Sequence, residues 1–217
     1  MFVTFEGLDF SGKTTQAQRL VNRLKACPPN EETVLRKVHF IREPGGTHIS
    51  ERLRDILLDR KHLEMCNLTE LMLFSASRAQ LVFQVIGPAL KRGEDVICDR
   101  YHDSTTVYQG YGRGLNIDDV RRINAIATNG LDPELTVLVD IPVDEIERRK
   151  VAAGLVFDRM ESSGLAFYER VRQGYLALAR EEPDRFVRIN GMKSVEQVEA
   201  DIWRAVTVRM NIHQQSG

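Results

Sequence analysis

Residues 7–14 read Gly-Leu-Asp-Phe-Ser-Gly-Lys-Thr, a G-x-x-x-x-G-K-[ST] spacing. That spacing suits the phosphates of a nucleoside triphosphate. Gly7 and Gly12 permit backbone angles and a close approach that a Cβ would block. Successive backbone N–H groups can then face an anion, and a helix beginning near Lys13 adds its positive dipole end. Lys13 can reach the β- and γ-phosphates, and the Thr14 hydroxyl can join a Mg²⁺ shell. A carboxylate suits the same ion. Asp95-Val96-Ile97-Cys98-Asp99-Arg100 is an apolar run that ends in Asp99, as a magnesium-holding strand does.

Further on, Phe74 and Arg78 lie four residues apart on one flank of a helix. An aromatic face beside a guanidinium can grip a flat heterocycle, or be an edge-of-core Phe beside a surface Arg. The stretch from Tyr101 to Gly114 is polar and aromatic, and carries Ser104, Thr105, Tyr108 and Gln109. It reads as a solvated glycine-rich loop or, because it follows a strand of a parallel sheet, as part of a ligand site.

The elements that must position these residues alternate. Phe2-Val3-Thr4-Phe5 reads as a strand, and Ala17, Leu20, Val21 and Leu24 follow helical spacing. Val38–Arg42, Asp95–Arg100, Leu135–Ile141 and Arg185–Asn190 read as four more strands. Between them, helices are expected near 49–57, 68–91, 118–129, 142–150, 167–181 and 194–206. In the long one, Leu68, Leu71, Met72, Ser75, Ala79, Val82, Phe83, Ile86 and Leu90 form one apolar stripe. Ser194-x-x-Gln197 is a capping box, and a polar tail is expected to fray from about Asn211. Cys27 to Glu32 reads as a surface loop. Strands alternating with helices imply a parallel sheet covered on both faces. Strand order is left open.

The chain has 217 residues, a formal net charge of −1, 42% hydrophobic and 28% charged residues. That length fits one domain, 1–217. Near-neutral charge gives no general attraction to nucleic acid or anionic membrane. Cys27, Cys66 and Cys98 are too far apart for a metal-spaced set and are expected as free thiols. No leader-like or membrane-length apolar run occurs, so a cytoplasmic protein is expected. A guanine-reading Asn-Lys-x-Asp motif is absent, which argues against a GTPase-type switch.

The motifs together resemble the bacterial type of the thymidylate kinase family, from Phe2 to about Val206. They are Phe5-Glu6-Gly7-Leu8-Asp9, Ser11-Gly12-Lys13-Thr14-Thr15, Arg42-Glu43-Pro44-Gly45-Gly46-Thr47, Leu73-Phe74-Ser75-Ala76-Ser77-Arg78, Asp99-Arg100-Tyr101 with Ser104, Tyr108-Gln109-Gly110, Gly112-Arg113, and Asp158-Arg159.

The resemblance implies a P-loop NTPase-type three-layer α/β/α fold with a five-stranded parallel sheet. It implies transfer of the ATP γ-phosphoryl group to dTMP with Mg²⁺, in a homodimer. A neighbouring acceptor such as dUMP is the alternative. By the same resemblance, Gly7, Leu8, Asp9, Phe10, Ser11, Gly12, Lys13, Thr14 and Thr15 would hold ATP. Asp9 would reach the deoxyribose, Arg42, Arg54 and Arg100 would grip the acceptor phosphate, and Pro44 would shape the acceptor loop. Phe74 would stack on thymine, and Arg78 would donate to its O4. Ser104, Thr105 and Gln109 would line the base pocket, and Tyr108 would crowd the sugar. A mobile lid near 148–160 would carry Arg148, Arg149 and Arg159. Phe10 departs from the pattern, because that branch commonly has glycine there. An apolar ring cannot neutralise charge, so the late cation is expected from Arg149 or Arg148.

Overall fold

A computed structural model describes residues 1–26, 37–153, 159 and 164–215. The whole loop expected over Cys27 to Glu32, Gly154 and Asp158 lie outside those residues, as does much of the expected lid.

Five strands form one parallel sheet. They are β1 (Phe2–Glu6), β2 (Val38–Arg42), β3 (Asp95–Asp99), β4 (Leu135–Asp140) and β5 (Phe186–Asn190), in the order β2-β3-β1-β4-β5. Phe5 pairs with Asp99 on one side of β1 and with Val137 on the other. The β-strand period of two divides β1 cleanly. Val3 and Phe5 face one layer, whereas Phe2, Thr4 and Glu6 face the other. All six residues of β4 are buried, as an inner strand covered on both faces requires.

The first layer is α1 (Lys13–Ala26) and α9 (Val195–Gln215). Their Ala17, Leu20, Leu24, Val198 and Ile202 close on Val3, Phe5, Val137 and Ile189. Each fully buried Leu or Ile is worth about 1.5–3 kcal/mol, enough to seat a helix of modest propensity. Ser194 and Gln197 form the expected box: each backbone N–H donates to the other's side chain, at 3.2 and 3.3 Å. The helix α9 continues past Asn211 to Gln215. Met210 packs on the core, and no breaker intervenes before Gly217.

The second layer holds α3 (Asn67–Leu81), α4 (Gly87–Lys91), α5 (His102–Thr105), α6 (Ile117–Thr128) and α8 (Leu165–Glu181). The short α2 (His48–Leu58) packs on α3, and α7 (Asp144–Ala153) follows β4. Two π-helical segments, Val82–Ile86 and Thr106–Gly112, carry α3 into α4 and extend α5. The second corrects one of the two readings of the 101–114 stretch. It is not a solvated loop but a helix whose Val107, Tyr108 and Gln109 are buried. Its glycines are contact points, since a Cβ on Gly112 would sit 2.6 Å from Phe167 Cε2.

The single apolar stripe expected on the long helix is in fact two. Leu71, Ser75, Val82 and Ile86 are buried, whereas Leu68, Met72, Ala79 and Phe83 are exposed.

Candidate active site

The carboxyl ends of β1, β2 and β3 open onto a cleft of about 400 Å³, within the range of small-molecule sites. The phosphate loop forms one wall. Gly7 has φ +142°, and a Cβ there would lie 2.4 Å from the Val139 carbonyl oxygen. Only glycine lets the loop leave β1 so close to β4. Leu8 is core rather than lining, 2% exposed, and its carbonyl accepts from Lys13 Nζ at 3.3 Å. Burial, then the Arg100 charge, lowers the Lys13 pKa, against the pull of Asp99 and Asp9. An ammonium stripped of water this way is relieved by a polyanion. Thr14 Oγ1 donates to Asp99 Oδ2, while Asp99 Oδ1 is buried without a hydrogen-bond partner among the described residues.

Arg100 is at the centre. It follows β3 in the left-handed region, φ +70°. Its Nη1 donates to the Gly7 carbonyl at 3.1 Å and to Ser104 Oγ at 3.0 Å, and its Nη2 to Tyr108 Oη at 3.1 Å. It also pairs with Asp9. Tyr168 Oη donates to Asp9 Oδ2 at 3.0 Å, and Tyr108 Oη does so at 3.2 Å. Burial would raise the Asp9 carboxyl, but Arg100 and Lys13 more than offset it and hold the group below its usual value.

Beneath Arg100 lies Glu6, fully buried. It accepts from the Tyr101 N–H at 2.8 Å, Ser104 Oγ at 2.6 Å and Tyr175 Oη at 2.7 Å. Sequence reading assigned no role to Glu6, Tyr168 or Tyr175. The spacing of the two tyrosines, seven residues apart on the buried face of α8, was the available signal.

The far wall is built on α2 and α3. Arg42 Nη2 donates to Glu51 at 3.0 Å, and Arg54 Nη1 donates to the Pro44 carbonyl at 2.9 Å. Phe74 is half-buried and, like Leu58, packs on the apolar cluster beneath the cleft and lines it. Arg78 is no surface residue, being 2% exposed. Its Nε donates to Glu43 at 2.8 Å, Nη1 to Asn124 at 3.1 Å, and Nη2 to the Tyr101 carbonyl and Thr105 Oγ1 at 3.3 and 2.9 Å. Four of its five N–H groups are thereby used, and the second N–H on Nη1 has no hydrogen-bond partner among the described residues. Burial pushes the Glu43 carboxyl up to about 7, against the opposing pull of Arg78. Gln109 Nε2 donates to Glu70 at 2.9 Å.

Asp9, Phe10, Lys13, Thr14, Arg42, Pro44, Arg54, Phe74, Arg78, Asp99, Arg100, Ser104, Thr105, Tyr108 and Gln109 all line this cleft. The three arginines expected in the lid do not. Arg148 is exposed and paired with Glu145. Arg149 donates to the carbonyls of Phe10, Ser11 and Gly191, at 3.2, 3.3 and 2.8 Å. Arg159 pairs with Glu70 at 2.6 Å and donates to the Leu57 carbonyl at 2.8 Å.

Loop, sheet order and cleft together define a P-loop phosphotransferase of the α/β/α class. A sequence profile described as thymidylate kinase matches residues 5–202. The thymidylate kinase of Chlorobium luteolum is 46% identical, covering 96% of this chain and 98% of that one. That of Deinococcus radiodurans is also 46% identical, covering 96% and 97%. The crystal structure of thymidylate kinase from Ehrlichia chaffeensis superposes with a TM-score of 0.74 at 32% identity, covering 95% of this chain and 98% of that one. This chain belongs to the thymidylate kinase family.

Proposed function

We propose that the chain transfers the γ-phosphoryl group of ATP to dTMP, giving ADP and dTDP, in the cytoplasm and as a homodimer. One observation carries this reading. A phosphate loop shares one cleft with the half-buried Phe74 and the buried Arg78, and Arg42, Arg54 and Arg100 line it as well. The transferred group is anionic, and so is the acceptor oxygen that attacks it. Alignment and fixed positive charge are therefore the main requirements, and no general base is needed. Lys13 and the loop amides hold the donor phosphates. Arg42, Arg54 and Arg100 hold the acceptor phosphate, with Asp9 at the sugar. Arg100 is held by Gly7, Ser104, Tyr108, Tyr175 and Asp9, so its charge is already oriented when substrate arrives. Thymine lies on Phe74, with Arg78, Thr105 and Gln109 around its polar edge, and Tyr108 closes the sugar side.

Thr14 and Asp99 fit a magnesium shell. The unpartnered Asp99 Oδ1 is the orphaned acceptor that such an ion would satisfy, and hard oxygen donors suit it. When bound, the ion neutralises charge on the β- and γ-oxygens.

An ADP-release assay over a panel of nucleoside monophosphates tests the reading. dTMP is expected to be the best acceptor, with dUMP behind it by about 1–3 kcal/mol for the missing methyl. Absence of turnover with dTMP would sink it. Arg78→Ala should weaken dTMP by about 1.5–3 kcal/mol, the worth of a hydrogen bond to a charged group, and leave ATP nearly unaffected.

A further inference from the structure

Phe10 is the residue of the phosphate loop whose presence the loop's own task does not explain. Its φ is +62°, and among the described residues only Arg100 and Asn129 share a positive φ without being glycine. A Cβ-bearing residue is disfavoured there, and such strain persists where the surroundings enforce it.

The surroundings do enforce it. The Phe10 carbonyl accepts from Arg149 Nη1 at 3.2 Å, and the Ser11 carbonyl accepts from the same nitrogen at 3.3 Å. Nη2 of that guanidinium donates to the Gly191 carbonyl at 2.8 Å, in the turn between β5 and α9. One guanidinium thus anchors the strained turn to the sheet from outside the cleft.

The strain delivers an aromatic ring to the cleft. Phe10 is half-buried, packed against the apolar cluster that also seats Leu58 and Phe74, and it lines the same cavity as Lys13, Thr14 and Arg100. A ring there neutralises nothing. What it can do is deny water a place beside the reacting phosphoryl group. Water is the competing acceptor in any transfer from ATP: its oxygen bonds to the γ-phosphorus, the bond to ADP breaks, and phosphate and a proton are released. A dry wall also strengthens the neighbouring Lys13 and Arg100 charges by lowering the local dielectric.

We propose that Phe10 is a water-excluding wall of the transfer site, and that Arg149 is the positioning residue that holds it in its left-handed conformation. The inference rests on the kinase reading above, and one experiment separates the two. ATP, Mg²⁺ and dTMP are supplied, and ADP and dTDP are quantified together for the wild type, Phe10→Gly, Phe10→Leu, Arg149→Ala and Arg149→Lys. The wild type should form about one ADP per dTDP. Phe10→Gly, which relieves the strain but opens the wall, should raise the ADP-to-dTDP ratio several-fold and hydrolyse ATP without acceptor. Phe10→Leu keeps apolar bulk and should stay near the wild-type ratio. Arg149→Ala should shift the ratio in the same direction as Phe10→Gly, and Arg149→Lys should restore part of the loss. A wild type that forms no dTDP defeats the kinase reading itself. Variants that lose kcat while keeping the wild-type ratio overturn the role of Phe10 alone. If Phe10→Gly is unfolded by circular dichroism, the ratio in Arg149→Ala decides.

Discussion

At the scale of single residues, the site is built from charges that are mostly spoken for before a ligand arrives. Arg100 and Arg78 spend nearly all their donors on the protein. Glu43 is different. It is buried, its Oε2 accepts from Arg78, and its Oε1 has no hydrogen-bond partner among the described residues. Burial raises its carboxyl from 4.5 to about 7, with Arg78 pulling down, Glu6 pushing up and His102 pulling down. Between those two pH values the folded protein holds a proton that the unfolded chain has released. Stability contributed by this group is therefore full below about pH 4.5 and is lost as pH rises through 7, by on the order of 3 kcal/mol. Glu43→Gln removes the titration while keeping an acceptor for Arg78. Its urea-unfolding stability relative to the wild type should improve as pH goes from about 5 to about 8. A difference between the two proteins that stays constant with pH would show that the carboxyl titrates normally.

At the scale of elements, the phosphate loop and its strand–helix frame were legible because their demands are local. Gly7 and Gly12 must be where backbone meets phosphate, and α1 must start there. The helix at 102–112 was not legible, because Gly110 and Gly112 read as breakers. They are instead places where helices touch. A Cβ on Gly110 would meet Ile117 Cδ1 at 2.6 Å, and one on Gly112 would meet Phe167 Cε2 at the same distance. Glu6 was illegible for a related reason. A glutamate in a strand reads as solvated, and its partners Ser104 and Tyr175 lie 98 and 169 positions away. Such closeness exists only once the sheet has formed. Gly112→Ala tests the contact. Alanine's helix propensity favours the variant by about 1 kcal/mol, while overpacking costs about 1–3 kcal/mol. Phe167 is 6% exposed and pinned between Tyr108 and Tyr168, so overpacking should win, by up to about 2 kcal/mol. The thermal midpoint should fall and dTMP affinity with it, since Tyr108 and Gln109 ride on that helix. An unchanged or raised midpoint would mean that Phe167 yields freely.

At the scale of the whole molecule, the two stripes of α3 and the π-helical segment Val82–Ile86 that continues it pose a problem that periodicity could not reveal. A core face and an exposed apolar face read alike, so the sequence pattern merges them. The structure separates them: Leu68, Met72 and Phe83 are 53%, 47% and 80% exposed, with Ala76 and Ala79 exposed between them. Ile126 of α6, which packs on α3, is 81% exposed. A patch of this kind on a folded chain is costly unless covered, and a second copy is the occupant the homodimer reading requires. Two-fold symmetry would bring α3 of each copy against the other, with Phe83 near its own mate. The same helix carries Phe74 and Arg78 on its inner flank, so pairing would brace the proposed base site from behind. Phe83→Glu should therefore do two things. Like charges across the axis should shift the protein from about twice 24.7 kDa to 24.7 kDa in sedimentation at micromolar concentration. The unbraced α3 should then bind dTMP more weakly while ATP affinity is retained. A wild type that sediments as a monomer would remove the second copy from this face, and a monomeric variant with unaltered dTMP affinity would show that α3 needs no brace.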